Sequence, residues 1–131
     1  MAILDAGPLI SVWNKDEHSA WATALFAKYQ GPFYTTELVL CEVAHMTERD
    51  AEIAQMVREK RFLIGASLWE HSTQIERCLT AFAHCDLADA SIIVASESKP
   101  RLKVLTTDRR HFVTYRRADS SPVPLELPPI A

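Results

Sequence analysis

Four carboxylates in this 131-residue chain stand where a folded protein would place apolar side chains. Asp5 directly follows the apolar run Ala2-Ile3-Leu4, and Asp108 comes three residues after Leu102-Lys103-Val104-Leu105. Glu42 lies within Leu38-Val39-Leu40-Cys41-Glu42-Val43-Ala44, a stretch apolar nearly all round a helix, which predicts a buried carboxylate. Asp89 shares a helical face with Ile92, Ile93 and Ser96. A buried acid needs a partner, and acids packed near one another do not all stay ionised without a cation, because like charges raise one another's pKa. An oxygen-only donor set suits a hard divalent ion, Mg²⁺ or Mn²⁺, shared among carboxylates, waters and a substrate phosphate. The chemistry of such a centre is metal-assisted hydrolysis of a phosphodiester bond.

Each acid also has a plainer account. Asp5 suits a turn after a strand, and Glu42 suits a buried ion pair with an arginine such as Arg109. Asp86 and Asp89, three residues apart at a helix start, fit a cap, so Asp86 is assigned mainly to capping and Asp89 mainly to the metal. A supporting metal role for Asp86 stays open. Asp108 suits the cap of a short turn over Arg109-Phe112.

Other chemistries find less support. With only Gly7, Gly31 and Gly65, neither GxGxxG nor GxxxxGK can be written, which excludes those nucleotide cradles. His18, His45, His71, His84 and His111 show no HxH or HxxxH spacing, which disfavours a histidine metal site or a two-histidine ribonuclease. Cys41, Cys78 and Cys85 contain no CxxC and read as free buried thiols of a reducing compartment. Fourteen Lys and Arg against 17 Asp and Glu leave a net charge of -3, so nucleic acid would have to meet a local basic patch or a metal. The start of the chain lacks a basic n-region and no apolar run is long enough to span a bilayer, so a soluble cytoplasmic protein without membrane contact is expected. Trp21 fits a core-facing helical stripe, whereas Trp13 stands near an expected dimer or partner surface.

The acids are positioned by alternating strands and helices. Short strands are expected at Ala2-Leu4, Phe33-Thr35, Arg61-Ile64 and Leu102-Leu105. Helices are expected from Leu9 to Trp13, His18 to Tyr29 with an Asn14 or Asp16 cap, Thr36 to His45, Arg49 to Lys60, Leu68 to Ala83 and Leu87 to Ser98. Strands separated by helices imply a mostly parallel sheet with helices on both faces, a three-layer α/β/α domain spanning residues 1–131. The proline-rich tail from about residue 120 permits at most an edge strand near Val123-Leu125, and it either packs on the domain or meets a partner. Because ligands of open parallel sheets bind beyond the carboxyl ends of the strands, Asp5 and Asp108 would face one crevice.

Ile3-Leu4-Asp5-Ala6-Gly7-Pro8, Leu40-Cys41-Glu42-Val43-Ala44, Asp86-Leu87-Ala88-Asp89-Ala90-Ser91-Ile92 and Leu105-Thr106-Thr107-Asp108-Arg109-Arg110-His111-Phe112 resemble, in order and spacing, the signature stretches of PIN domains. The chain looks most like the VapC-type toxins of bacterial toxin–antitoxin pairs. The resemblance implies a short, mostly parallel sheet and a Mg²⁺- or Mn²⁺-dependent endoribonuclease. Asp5, Glu42, Asp89 and Asp108 match the acidic quartet, with Asp5 and Asp89 or Asp108 as direct ligands. Thr106 matches the hydroxyl residue that orients a carboxylate or metal water. It further implies an RNA substrate, a cognate antitoxin and a homodimer, with Arg109, Arg110, Arg116 and Arg117 available to the RNA backbone. The rival from another class is a non-catalytic PIN-like binding module of RNA or protein. Such a module would usually have lost part of the quartet, which is complete here. A haloacid-dehalogenase pattern would need an acid where Gly7 stands, and a receiver domain would need paired acids near the first strand.

Overall fold

The computed structural model describes residues 1–130. Its elements in chain order are β1 (Ile3–Leu4), α1 (Ala6–Asn14), α2 (Ser19–Lys28), β2 (Phe33–Thr35), α3 (Glu37–Thr47), α4 (Asp50–Arg58), β3 (Phe62–Ile64), α5 (Leu68–Ala81), α6 (Leu87–Ser98), β4 (Val104–Leu105), α7 (Arg109–Phe112) and β5 (Leu125–Glu126). The strands form one sheet in the order β3-β2-β1-β4-β5, and every pairing is parallel. The architecture is a three-layer α/β/α fold. After β1 the chain steps outward to β2 and β3, then returns across β1 to lay down β4 on the other side. The carboxyl ends of β1 and β4 therefore flank the point where the winding reverses, the place where open α/β sheets form crevices.

Burial explains the short strands. Ile3, Leu4, Val104 and Leu105 are each at most 1% exposed, as expected of central parallel strands covered on both faces. Helix α6 is buried from Ala90 through Ser96 and packs on α3, α5, β1 and β2. Its near-continuous apolar sequence is that of an interior helix. Two buried hydroxyl contacts fix the register around it: Thr35 Oγ1 donates to the Leu4 carbonyl at 2.7 Å, and Thr36 Oγ1 and Ser91 Oγ lie 2.7 Å apart. Thr36 also caps α3 by accepting the Val39 amide, so one residue starts the helix carrying Glu42 and ties it to the helix carrying Asp89.

Some boundaries move for identifiable reasons. Helix α2 starts at Ser19, and Asp16 does not cap it: its carboxylate accepts the His18 amide at 2.9 Å and the Ser11 hydroxyl at 3.1 Å. Helix α5 is interrupted at His71 and ends at Ala81. The tail does pack on the domain. Its strand lies at Leu125–Glu126, beyond Pro124, whose carbonyl accepts the Val104 amide at 2.8 Å. An edge position suits a segment containing Pro122 and Pro124, since proline has no amide to give to a ladder. Among the described residues no helix is long and apolar enough to cross a membrane.

Candidate active site

Asp5 occupies the N-cap position of α1 without making the side-chain capping hydrogen bond. Its Oδ2 instead accepts the Thr106 hydroxyl at 2.7 Å, just beyond β4. Asp5 is only 6% exposed, and burial pushes its pKa up to about 6, with the Glu42 and Asp108 charges adding to the rise and the Thr106 hydroxyl and Ala6 amide opposing it. The loops after β1 and β4 can approach this closely because residue 7 is glycine. A Cβ there would lie 2.1 Å from Thr107 Oγ1.

Asp89 projects from the first turn of α6, where its Oδ2 accepts the Tyr115 hydroxyl at 2.7 Å. Burial raises its pKa to about 7, with the Asp86, Asp5 and Asp108 charges adding to the rise and the Tyr115 hydrogen bond opposing it. Asp108 caps α7 through the His111 amide at 3.0 Å, and its other oxygen lies 3.0 Å from His111 Nδ1. The capping account and the cleft position therefore both hold for this residue. Glu42 is pushed up by partial desolvation of its carboxyl and by the charges of Asp86, Asp89 and Asp108.

Asp5, Glu42, Asp89 and Asp108 line one cleft of about 230 Å³, together with Ser11, Asp16, His18 and Thr107 among others. No lysine or arginine lines it, and Asp5, Glu42 and Asp89 form no ion pair with a basic side chain among the described residues. A larger groove of about 820 Å³, bordered by Trp13, Phe26, Met56 and Phe62, contains none of the four acids. Carboxylates gathered in one cleft without a lysine or arginine fit a hard divalent ion. Among the described residues no three His, Cys, Asp or Glu side chains converge to enclose an ion by themselves.

Several sequence expectations need correction. Glu42 is not buried in an apolar helix: Val39, Leu40 and Val43 form the buried stripe of α3, while Cys41, Glu42, His45 and Met46 are exposed. Nor does Glu42 pair with Arg109, whose guanidinium donates to the Pro128 carbonyl at 2.7 Å. Arg116 donates to the Val113 and Tyr115 carbonyls and Arg117 to that of Pro100. None of Arg109, Arg110, Arg116 and Arg117 lines the cleft. Cys41 is exposed, whereas Cys78 is buried and Cys85 half-buried. Asp86 caps α6 through the Asp89 amide at 2.8 Å and stands outside the cleft lining. Tyr115, His111, Asp16 and His18 were not legible as site residues. The contact of Tyr115 is made by chain folding rather than by any spacing, whereas His111 to Asp108, three residues apart, and Ser11 to Asp16 are local pairs.

The PIN domain family model matches residues 2–118. The chain belongs to the PIN domain family, whose members are generally nucleases that typically use divalent metals. Among solved structures, a chain of a "Toxin-antitoxin complex from Klebsiella pneumoniae" superposes with a TM-score of 0.66 at 15% identity, covering 87% of this chain and 92% of that one. Comparison with the curated proteins gives no match.

Proposed function

We propose that this protein is a Mg²⁺- or Mn²⁺-dependent endoribonuclease, built as one catalytic domain and acting as the toxin of a toxin–antitoxin pair. The observation that carries the reading is the convergence of Asp5, Glu42, Asp89 and Asp108, from four separate elements, on one cleft without a lysine or arginine. Asp5 and Asp89 or Asp108 would hold the ion, with Glu42 at the cleft and Asp86 beside it. When bound, the ion would supply an activated water for attack on the phosphodiester and neutralise the leaving oxygen. Thr106 keeps Asp5 oriented, and the Asp108 amide donates to the same Thr106 oxygen at 3.0 Å. The raised pKa values of Asp5 and Asp89 fit groups that give up protons as a cation enters.

The toxin–antitoxin neighbour supports a protein antitoxin, and an RNA substrate, a homodimer and a cytoplasmic setting complete the proposal. For Arg109, Arg110, Arg116 and Arg117 to hold the RNA backbone, the three already on backbone carbonyls would have to be released; Arg110 is exposed. The test is cleavage of a mixed single-stranded RNA pool by purified protein with Mg²⁺ or Mn²⁺, with EDTA, and with Asp5→Asn. Metal-dependent cuts leaving 5′-phosphate and 3′-hydroxyl ends, lost in the variant, are expected. Folded, metal-bound protein that cuts none of the pool would favour a non-catalytic PIN-like module.

A further inference from the structure

We propose that Tyr115 is a positioning residue of this centre, its hydroxyl holding one oxygen of Asp89 so that the other is left for the cation. The proposal rests on the metal-centre reading above and adds a residue to it. Tyr115 is the one hydrogen-bond donor to the Asp89 side chain among the described residues, at 2.7 Å to Oδ2. Its own position is tightly defined. The residue is 1% exposed, and its ring packs against Phe112 at 4.9 Å and Phe82 at 5.2 Å between centroids. The hydroxyl is thus delivered from a rigid aromatic cluster to a carboxylate lining the cleft.

The choice of donor matters chemically. A lysine or arginine at this place would orient Asp89 but also cancel its charge. A neutral phenol orients the carboxylate and leaves that charge for a cation. A tyrosine hydroxyl, whose ordinary pKa is about 10, stays a donor throughout the neutral pH range. Thr106 stands in the same relation to Asp5, again as a neutral hydroxyl on Oδ2 at 2.7 Å. Partners of this kind commonly set ligand orientation and metal affinity.

The probe is Mn²⁺ alone, titrated calorimetrically into the full chain. Tyr115→Phe keeps the ring and removes only the hydroxyl. The expected result is an Mn²⁺ dissociation constant weakened about tenfold to a hundredfold, with cleavage restored by raising Mn²⁺. In an Asp89→Asn background the same change should cost nothing further. Wild-type Mn²⁺ affinity in Tyr115→Phe, or an equal loss in both backgrounds, overturns the proposal. A second measurement does not depend on the variant folding. In protein carrying 3-fluorotyrosine, bound Mn²⁺ should broaden the Tyr115 resonance far more than those of Tyr29 and Tyr34, the other two tyrosines. Equal broadening of all three overturns the placement. A wild-type protein that binds no Mn²⁺ overturns the metal reading and this proposal with it, whereas binding indifferent to Tyr115→Phe overturns the positioning role alone.

Discussion

Thr106 donates its hydroxyl to Asp5 Oδ2 at 2.7 Å across 101 residues of chain, and the same hydroxyl oxygen accepts the Asp108 amide at 3.0 Å. One fully buried side chain thus orders an acid on each side of the β1–β4 seam. Thr106→Val keeps the shape and removes both contacts. It should destabilise the fold by about 1–3 kcal/mol, the cost of leaving buried polar groups unpaired, and lower cleavage about tenfold to a hundredfold. Thr106→Ser should keep most of both. Urea unfolding and RNA cleavage, measured on the two variants together, check this; a valine variant as active as the serine one would refute it.

The pH dependence of the metal-free protein follows from the raised acids. Asp5 titrates near 6 and Asp89 near 7 in the fold, against an ordinary aspartate value of 3.8. The folded state therefore binds more protons than the unfolded one between these limits, and the slope of stability with pH is negative there. Stability should fall as pH rises from about 4 to about 7. A fully buried group loses roughly 1.4 kcal/mol for each pH unit crossed between its unfolded and folded pKa, and the half-buried Asp89 loses less. Thermal melts without metal should show that decline, and Asp5→Asn should flatten its lower part. Cleavage should run the other way, rising across pH 6–7 as the acids ionise and accept the cation.

Metal should reverse the repulsion. Mg²⁺ or Mn²⁺ at a hundred times its dissociation constant should stabilise the folded chain by about 2.7 kcal/mol. EDTA should abolish the gain. Asp5→Asn and Asp89→Asn should melt higher than wild type without metal near pH 8 yet respond little to it. Glu37→Gln, on the exposed first turn of α3, should behave as wild type. Melts that rise equally in all four proteins would mean that the ion sits elsewhere.

The close approach of the two acid-bearing loops predicts a specific steric failure. The three atoms nearest to an added Cβ at residue 7 belong to the Thr107 side chain, Oγ1 at 2.1 Å being the closest. Gly7→Ala should therefore part the loops and destabilise by about 1–3 kcal/mol, with a larger loss of cleavage because Asp5 and Asp108 move apart. Gly7→Ala with Thr107→Gly should regain most of both. A double variant no better than the single one would place the clash elsewhere in the loop.

The parts of this site that were readable and those that were not differ in kind. Asp5 and Asp108 were readable because topology alone sends residues after β1 and β4 to one crevice. Glu42 lines the same cleft as the other three acids, but not for the reason read from the sequence. Cys41 and Met46 made α3 look apolar all round, yet both face outward with it, since composition around a helix does not say which apolar residues find a partner. Tyr115 carried no signal, because its partner lies 26 residues back in the chain and its neighbours Thr114, Arg116 and Arg117 have no apolar period. The arginines were read as standing beside the site, and the contacts they make there were not readable: the fold turns Arg109 to the carbonyl of Pro128 in the tail.

Asp86 offers the means to separate a cap from a metal role. Its Oδ1 accepts the Asp89 amide at 2.8 Å, so it fixes the start of the helix that carries Asp89, while its charge raises the pKa of both Glu42 and Asp89. Asparagine keeps an oxygen for the cap and removes the charge. Alanine removes both, and should cost about 1 kcal/mol of stability. If Asp86 acts only as a cap, Asp86→Asn should cleave RNA as wild type does at saturating metal, and Asp86→Ala should lose stability first and activity through it. If Asp86 helps hold the ion, Asp86→Asn should bind Mn²⁺ more weakly although its melting temperature without metal is unchanged or higher. The geometry favours the cap, because Oδ1 holds the Asp89 amide and the residue stands outside the cleft lining. Calorimetric Mn²⁺ titration of Asp86→Asn therefore decides it, with wild-type affinity as the expected result.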